Sequence, residues 1–330
     1  MAALNLNMKF SVLKSKDPYF NLAVEEYLLK YCDGEYFLLW QNEPTVVIGK
    51  NQNVFAEVNV PYTKEKGIHI ARRITGGGAV YHDLGNLNFS YITDKTEEGI
   101  DFKRYTTPII EALKEMGLNP TLSGRNDILI SEKKISGNAQ TVFKNRVLHH
   151  GTLLYDSDAD VLSLALNVDK EKLKSKAISS VKSRVGNIKS FLDGDCSVCD
   201  FQKLIKSHII NKYNAAEIEI KPNEIIESLR CRNASEAWIF PANDYLSALT
   251  LTAKKRYHFG TVEINIDLKN DLIFKIRING DFFGTNEISD LEKELTGISL
   301  TALPEKIKNL KISDYIMGMK NEDFLLLVNK

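Results

Sequence analysis

Cysteine is scarce. Cys32, Cys196, Cys199 and Cys231 are the four in a chain of 330 residues, too few and too irregularly spaced for a disulfide framework, so reduced thiols are expected. Cys196 and Cys199 stand in C-x-x-C spacing, but a zinc site needs two further ligands and no second pair or spaced histidine pair accompanies them. An excess of one charge is missing too: 43 basic residues balance 43 acidic ones. That argues against a surface built as a whole for nucleic acid or an anionic membrane, so any anion chemistry must come from local positive charge. No run is long and apolar enough to span a bilayer. The first ten residues lack the basic start and apolar stretch of a secretory signal and the arginines of a mitochondrial presequence, so a cytoplasmic location is expected. Neither G-x-G-x-x-G nor G-x-x-x-x-G-K-[ST] occurs, which removes the two common phosphate-binding loops.

What is present is concentrated in one run, Arg72-Arg73-Ile74-Thr75-Gly76-Gly77-Gly78-Ala79-Val80-Tyr81-His82-Asp83-Leu84-Gly85-Asn86. Cations, bare backbone and polar side chains together suit a bound anion. Three successive glycines lose much backbone entropy on ordering, so an ordered Gly76–Gly78 needs compensating contacts, which a ligand against the backbone would supply. The bland alternative is a glycine-rich loop with a solvated arginine pair. Ala79-Val80-Tyr81 and Leu87–Ile92 around the turn-like Asp83–Asn86 predict strand, loop, strand, so loop amides and an arginine would hold a phosphate, not a helix N-terminus.

Elsewhere the pattern is of mixed α/β type. Asp17-Pro18 opens a strongly apolar helix, with Glu25 and Glu26 expected on its other side. Strands are predicted at Tyr36–Trp40, Thr45–Ile48, Ile68–Ala71 and Asp127–Ile130, and a helix from Phe102 to Met116 ended by Gly117. A hairpin follows: Ile135–Phe143, a turn at Lys144-Asn145-Arg146, and Val147–Tyr155. Leu162–Lys189 is basic, carrying Lys170, Lys172, Lys174, Lys176, Lys182 and Arg184. Helices are predicted at Phe201–Tyr213 and Pro222–Ala234, and Trp238–Asp244 looks like a boundary. Beyond it a strand from Arg256 to Leu268, a turn at Lys269-Asn270-Asp271, a returning strand from Leu272 to Ile278 and helices at Asp290–Leu295, Leu303–Leu310 and Glu322–Val328 make a small two-layer module.

A second polar cluster, Glu132-Lys133-Lys134-Ile135-Ser136-Gly137-Asn138-Ala139-Gln140, opens the hairpin. Gly124-Arg125-Asn126-Asp127 precedes it and His149-His150-Gly151-Thr152-Leu153-Leu154 follows. A lysine entering a strand often merely reaches to solvent. Adjacent histidines on a strand face opposite ways, so the pair is ill placed to ligate one metal, and for at least one of them a core or edge position is the plainer reading.

Together these segments resemble the lipoate-protein ligase family: the Arg72–Asn86 run its lipoyl-adenylate loop, Lys134-x-Ser136-Gly137-x-Ala139 its catalytic-lysine strand, and His149–Leu154 its third motif. Asp17–Glu26, Val46-Val47-Ile48-Gly49-x-x-Gln52-Asn53, Gly124–Asp127 and Ser180–Ile188 also have counterparts, so the resemblance covers nearly two-thirds of the chain. It implies the mixed sheet flanked by helices that is shared with biotin protein ligases and related to class II aminoacyl-tRNA synthetases, with a catalytic domain at residues 1–244 and a small C-terminal α/β accessory domain at 245–330. It implies ATP-dependent activation of lipoate to lipoyl-AMP, then transfer to a lysine of the apo lipoyl domains of 2-oxoacid dehydrogenase E2 subunits or of glycine-cleavage H protein, with no part for nucleic acid or membrane. By residue, it implies Lys134 as the catalytic group, meeting both ligands. Arg73, Gly78, Ala79, Val80, Tyr81, Asp127 and Thr152 are implied for ATP and adenylate, and Arg72, Gly76, Gly77, His82, Val47, Gly49 and His150 for lipoate. Magnesium would arrive with ATP, near Asp127, without a protein-only site. The basic stretch, with Lys176 and Arg184, is expected to form a loop and helix that close over the adenylate.

Two relatives in kind compete. An octanoyl- or lipoyl-transferase on the same scaffold works without ATP through a cysteine thioester, but no cysteine lies between Cys32 and Cys196, so the motif segments contain none unless a loop brings Cys196 or Cys199 in. A biotin protein ligase carries a different arginine-glycine loop. A non-catalytic lipoate-binding module is the remaining alternative, against which the retained Lys134 and complete nucleotide loop weigh.

Overall fold

The computed structural model describes residues 8–95, 100–124, 126–167, 184–241 and 250–328. The chain packs as two bodies. The larger comprises Met1–Val47, Val58–Arg72 and Val80–Ile239; the smaller comprises Ile48–Glu57, Arg73–Ala79 and Phe240–Lys330.

In the larger body an eight-stranded mixed sheet runs in the order β11-β1-β2-β6-β10-β9-β8-β7. These strands are β1 (Lys9–Val12), β2 (Tyr36–Trp40), β6 (Asn86–Asp94), β7 (Thr121–Ser123), β8 (Asp127–Ile130), β9 (Lys133–Phe143), β10 (Arg146–Leu154) and β11 (Ala216–Glu217). The pairs β11/β1 and β1/β2 are parallel and the rest antiparallel. A second sheet orders β4-β3-β5, from β3 (Thr45–Ile48), β4 (His69–Arg72) and β5 (Val80–His82). The predicted strand–loop–strand after the glycines is therefore β5 and β6, and the hairpin is β9 and β10 turning at Lys144, which has φ of 52°.

Helices cover both faces. Asp17 caps α1 (Pro18–Tyr31) by accepting from the amides of Tyr19 and Phe20, with Pro18 in the first turn, where a missing N–H costs nothing. Asp101 caps α4 (Phe102–Glu115), and Gly117 follows with φ of 83°. Between them in sequence lie α2 (Val54–Glu57), which belongs to the smaller body, and α3 (Val60–Glu65); after α4 come α5 (Ala159–Ala165), α6 (Val198–Tyr213), α7 (Glu224–Asn233) and α8 (Glu236–Ile239). Aromatic and branched residues of α4, α6 and the sheet, among them Tyr105, Ile109, Leu113, Phe201, Ile205, Phe37, Phe89 and Val147, form the main core. Helix α1 packs against the opposite face, touching β6, β10 and α7. Here an expectation fails: Glu25 and Glu26 are each 1% exposed. They stand three and four residues after buried Leu22 and four and three before buried Leu29, which is the inward stripe of a helix.

The smaller body contains the sheet β12-β13-β14, from β12 (Leu251–Tyr257), β13 (Gly260–Lys269) and β14 (Leu272–Gly280). Its helices are α9 (Ile288–Leu295), α10 (Leu303–Lys308), α11 (Ile312–Tyr315) and α12 (Asn321–Val328). The strand expected from Arg256 to Leu268 is really two, because the chain reverses at His258-Phe259, a turn whose one sequence signal is the glycine after it. Asn270 and Asp271, both at positive φ, make the next turn as expected. Ile264, Ile276, Ile278, Phe282, Leu291, Leu295 and Phe324 build a separate core. Residues 48–57 and 73–79 belong here by packing: the Asn51 carbonyl accepts from Gly280 N at 2.9 Å, and the Phe282 carbonyl accepts from Gly77 N at 3.3 Å. The boundary expected between residues 244 and 245 lies outside the described residues.

Candidate active site

In the larger body the hairpin and its neighbours bring one group of predicted residues together. Asp127 pairs with Gly137 in the β8/β9 ladder, and the turn before it is tied to β9 by hydrogen bonds between Asn126 and Asn138 in both directions. This sets the Asp127 carboxylate 2.8 Å from the Lys134 ammonium, each side chain about one-third exposed. A Cβ on Gly137 would lie 3.0 Å from Lys134 Nζ, so the lysine bends over bare backbone that a side chain would occupy. Thr152, opposite on β10, accepts from Gly137 N at 3.1 Å. The Lys134 carbonyl accepts from Gly186 N at 2.9 Å, which brings the described end of the basic stretch alongside. Residues 168–183, with most of its lysines, lie outside the described residues.

The two histidines part as strand geometry requires. His149 is fully buried among Phe89, Phe102 and Tyr105, and burial, then the neighbouring His150, holds its basicity well below the ordinary 6.5. His150 faces α1, 7% exposed, with Nδ1 2.9 Å from Glu25. Neither is an edge residue. His82, also buried, has its Nδ1 3.1 Å from the Asn42 amide, and its ring meets the edge of Trp40. Val47 pairs with Val80 and Val46 with Tyr81. Burial, then the charge of Asp83, pushes the Tyr81 phenol up to about 12, so it stays a donor at neutral pH.

Arg72, expected beside lipoate, makes contacts within the protein as well. Its Nε and Nη2 donate to the carbonyls of Trp238 and Ile239 at 3.0 and 2.8 Å, while Trp238 Nε1 donates back to the Arg72 carbonyl at 2.9 Å. Arg232 stacks on the Trp238 ring and pairs with Glu26. Burial would raise the Glu26 carboxyl, but hydrogen bonds from Arg232 and Lys30 outweigh it and hold it low.

In the smaller body the glycine run is organised around Arg73. Its Nη2 donates to the carbonyls of Gly76 and Gly78, each at 2.8 Å, and its Nε to Thr75 Oγ1 at 2.9 Å. Arg73 N donates to the Ile48 carbonyl, Lys50 N to that of Thr75. The glycines differ in their reasons. A Cβ on Gly49 would lie 2.0 Å from the Gly77 carbonyl oxygen, and one on Gly76 2.3 Å from that of Phe282. Among the described residues a Cβ on Gly78 would meet only Asp281 Cβ, at an ordinary 3.9 Å. Packing among the described residues thus demands Gly49 and Gly76 but not Gly78.

The sequence reading gave no role to Ser90, Trp40, Asn42 and Trp238, which hold candidate site residues from outside the matched segments, nor to Glu25, which lies within the matched Asp17–Glu26 segment. For Glu25 a signal existed: a carboxylate in the apolar stripe of α1.

Residues 17–210 match the family model of the lipoyl protein ligase A/B catalytic domain, and residues 247–327 that of the bacterial lipoate protein ligase C-terminus. Lipoate-protein ligase LplJ of Bacillus subtilis is 40% identical over 94% of this chain and 97% of its own length. Lipoate-protein ligase 1 of Staphylococcus aureus is 42% identical over 85% and 87%. Among solved structures, LipL1 of P. falciparum in complex with lipoate superposes with a TM-score of 0.80 at 25% identity, covering 96% of this chain and 97% of that one. A lipoate-protein ligase A bound with ATP gives 0.59 at 28% identity, covering 71% and 98%. With the fold, the motif positions and both family models in agreement, the chain belongs to the lipoate-protein ligase family.

Proposed function

We propose that this chain activates lipoate with ATP and transfers the lipoyl group to a carrier-protein lysine, residues 1–244 serving as the catalytic domain and 245–330 as the accessory domain. The observation that carries the reading is Lys134, an ammonium folded over Gly137 with Asp127 at 2.8 Å as its partner. In the first step a lipoate carboxylate oxygen attacks the α-phosphorus of ATP, and the bond to pyrophosphate breaks. Both reactants are anions, and a fixed cation between them lowers the barrier to their meeting. In the second step the carrier amine attacks the lipoyl carbonyl carbon, loses a proton, and the bond to AMP breaks; the same ammonium stabilises charge developing on the carbonyl oxygen.

Arg73, Gly78, Ala79, Val80, Tyr81, Asp127 and Thr152 are assigned to the nucleotide. Arg72, Gly76, Gly77, His82, Val47, Gly49 and His150 are assigned to lipoate, Arg72 being held from Trp238 and Ile239. The Asp127 carboxylate suits magnesium brought in with ATP, since that ion favours one or two carboxylates together with phosphate oxygens. Structural analysis of an archaeal lipoylation system from Thermoplasma acidophilum describes a bi-partite lipoate protein ligase and its E2 lipoyl domain, and we assign apo E2 lipoyl domains or glycine-cleavage H protein as partners here, in the cytoplasm. The test is incubation with ATP, magnesium, lipoate and a panel of apo carrier domains, read by intact mass. A mass gain of one lipoyl group that needs ATP is expected; no gain on any carrier, or a gain without ATP, rejects the reading.

A further inference from the structure

Glu25 is a carboxylate where α1 meets the sheet, 1% exposed, and its ring partner on the sheet is His150. Its two oxygens lie 2.9 and 3.1 Å from His150 Nδ1. Ser90 Oγ donates to Oε1 at 2.5 Å, and Trp40 Nε1 donates to Ser90 Oγ at 2.7 Å. Taking a carboxylate out of water costs several kcal/mol unless partners match it closely, and where buried Glu26 on the same stripe is matched by Arg232 and Lys30, Glu25 is matched by His150 and Ser90. An ionised carboxylate only accepts, so Nδ1 must carry a proton, and this fixes both the tautomer and the rotation of the ring.

The register gives that constraint a direction. His150 lies opposite Ser90 on β6 and Ala139 on β9, and two residues on, Thr152 bonds Gly137. Residues two apart on a strand share a face, so His150 and Thr152 lie on the side of the sheet where Lys134 bends over Gly137.

We infer that Glu25 is a positioning residue for the ligase reaction: it holds His150 in one tautomer and one orientation so that Nε2 meets the acyl substrate, with Ser90 and Trp40 as its outer support. This rests on the assignment of His150 to lipoate made above. Behind metal-ligating histidines a carboxylate or carbonyl works in this way, and losing it costs about ten-fold or more; an effect of the same order is expected here.

The experiment is a double-mutant cycle with Glu25→Gln and His150→Gln, measuring KM for lipoate, KM for ATP, kcat and Tm. Glu25→Gln alone should raise KM for lipoate about ten-fold with KM for ATP nearly unchanged, and on the His150→Gln background it should add less than about two-fold. Ser90→Ala, which loosens the carboxylate without removing it, should move KM for lipoate the same way by about two- to three-fold, and it stands in if Glu25→Gln does not fold. Effects that multiply across the cycle, or a lowered Tm with unchanged KM for lipoate, would overturn the inference, as would an unmoved KM for lipoate in Ser90→Ala. Calorimetric titration of lipoate into the nucleotide-free protein reads the same contact without turnover. A parent that binds lipoate yet lipoylates no carrier would defeat the ligase reading while the cycle, run on binding, still decides the role of Glu25.

Discussion

Lys134 stands at the start of a long strand: β8 pairs with it on one side and Gly186 donates to its carbonyl. Gly76, Gly77 and Gly78 belong to no strand or helix; one arginine side chain gathers the carbonyls of the first and third, and the amide of the second donates to Phe282. The two groups of candidate residues therefore reach rigidity by different means. The strand-borne group is fixed by backbone ladders that any sequence of suitable pattern would form, so its identity lies in side chains: Lys134, Asp127, Thr152, His150. The loop-borne group is fixed by particular atoms, and its identity lies where side chains are missing. Substitution should accordingly act through chemistry in the first and through shape in the second.

The largest effect is expected where the chemistry is. Lys134→Ala removes the cation but leaves the ladder, so the fold and Tm should hold while adenylate formation and transfer from supplied lipoyl-AMP both fall by about a thousand-fold or more. Near-normal rates in either half-reaction would break the assignment. Gly49→Ala comes next and acts by shape alone. Its Cβ would stand 2.0 Å from the Gly77 carbonyl oxygen, so the loop must move, and a displacement of about 1 Å is enough for a loss of about a hundred-fold in kcat/KM. Steady-state kinetics on folded protein checks this, and an undisturbed kcat/KM would mean that the loop has room to give.

How much of this was legible beforehand follows the same division. The strands Tyr36–Trp40, Thr45–Ile48 and Asp127–Ile130, the cap at Asp17 and the β9/β10 hairpin are local patterns, and the chain shows them where alternation and turn residues place them. Gly137 and the glycine run were visible for the same reason, each an unusual residue in a short segment, whereas Lys134 stood out only through the family resemblance. Long-range partners were not visible. Arg72 and Arg73 are neighbours in sequence, yet one guanidinium is occupied 166 residues away at Trp238 and the other within its own loop. Nothing in the sequence distinguishes them. Glu25 was misread because acidic residues on a helix are usually solvated, a rule that yields when a histidine on another element arrives as partner.

Gly78 sharpens the comparison with a smaller effect. Because its Cβ would meet nothing closer than 3.9 Å among the described residues, Gly78→Ala should leave Tm and the nucleotide-free loop unchanged while weakening ATP binding by about ten-fold, the cost of a methyl group pressed against a bound phosphate. Calorimetry with ATP and thermal melting of the same variant separate the two. Full ATP affinity would show that the third glycine serves something other than the nucleotide.

The smallest effect is expected from the thiols, which belong to neither group. Cys32 follows the last turn of α1, Cys196 and Cys199 flank Ser197 at the start of α6, and Cys231 is exposed on α7. A mixed anhydride needs no thiol, so a variant with all four changed to Ser should lipoylate its carrier in the presence of ATP at close to the parental rate. Some stability loss will accompany it: Cys196 packs against the main core, and a hydroxyl left without a partner there costs about 1–3 kcal/mol. The Tyr155 hydroxyl bonds the Cys196 carbonyl, a contact that the substitution leaves in place. Rates should therefore be compared at low temperature and normalised to folded protein. Acyl transfer that runs without ATP in the parent and vanishes with the thiols would instead establish a thioester transferase, because only that route makes a cysteine indispensable.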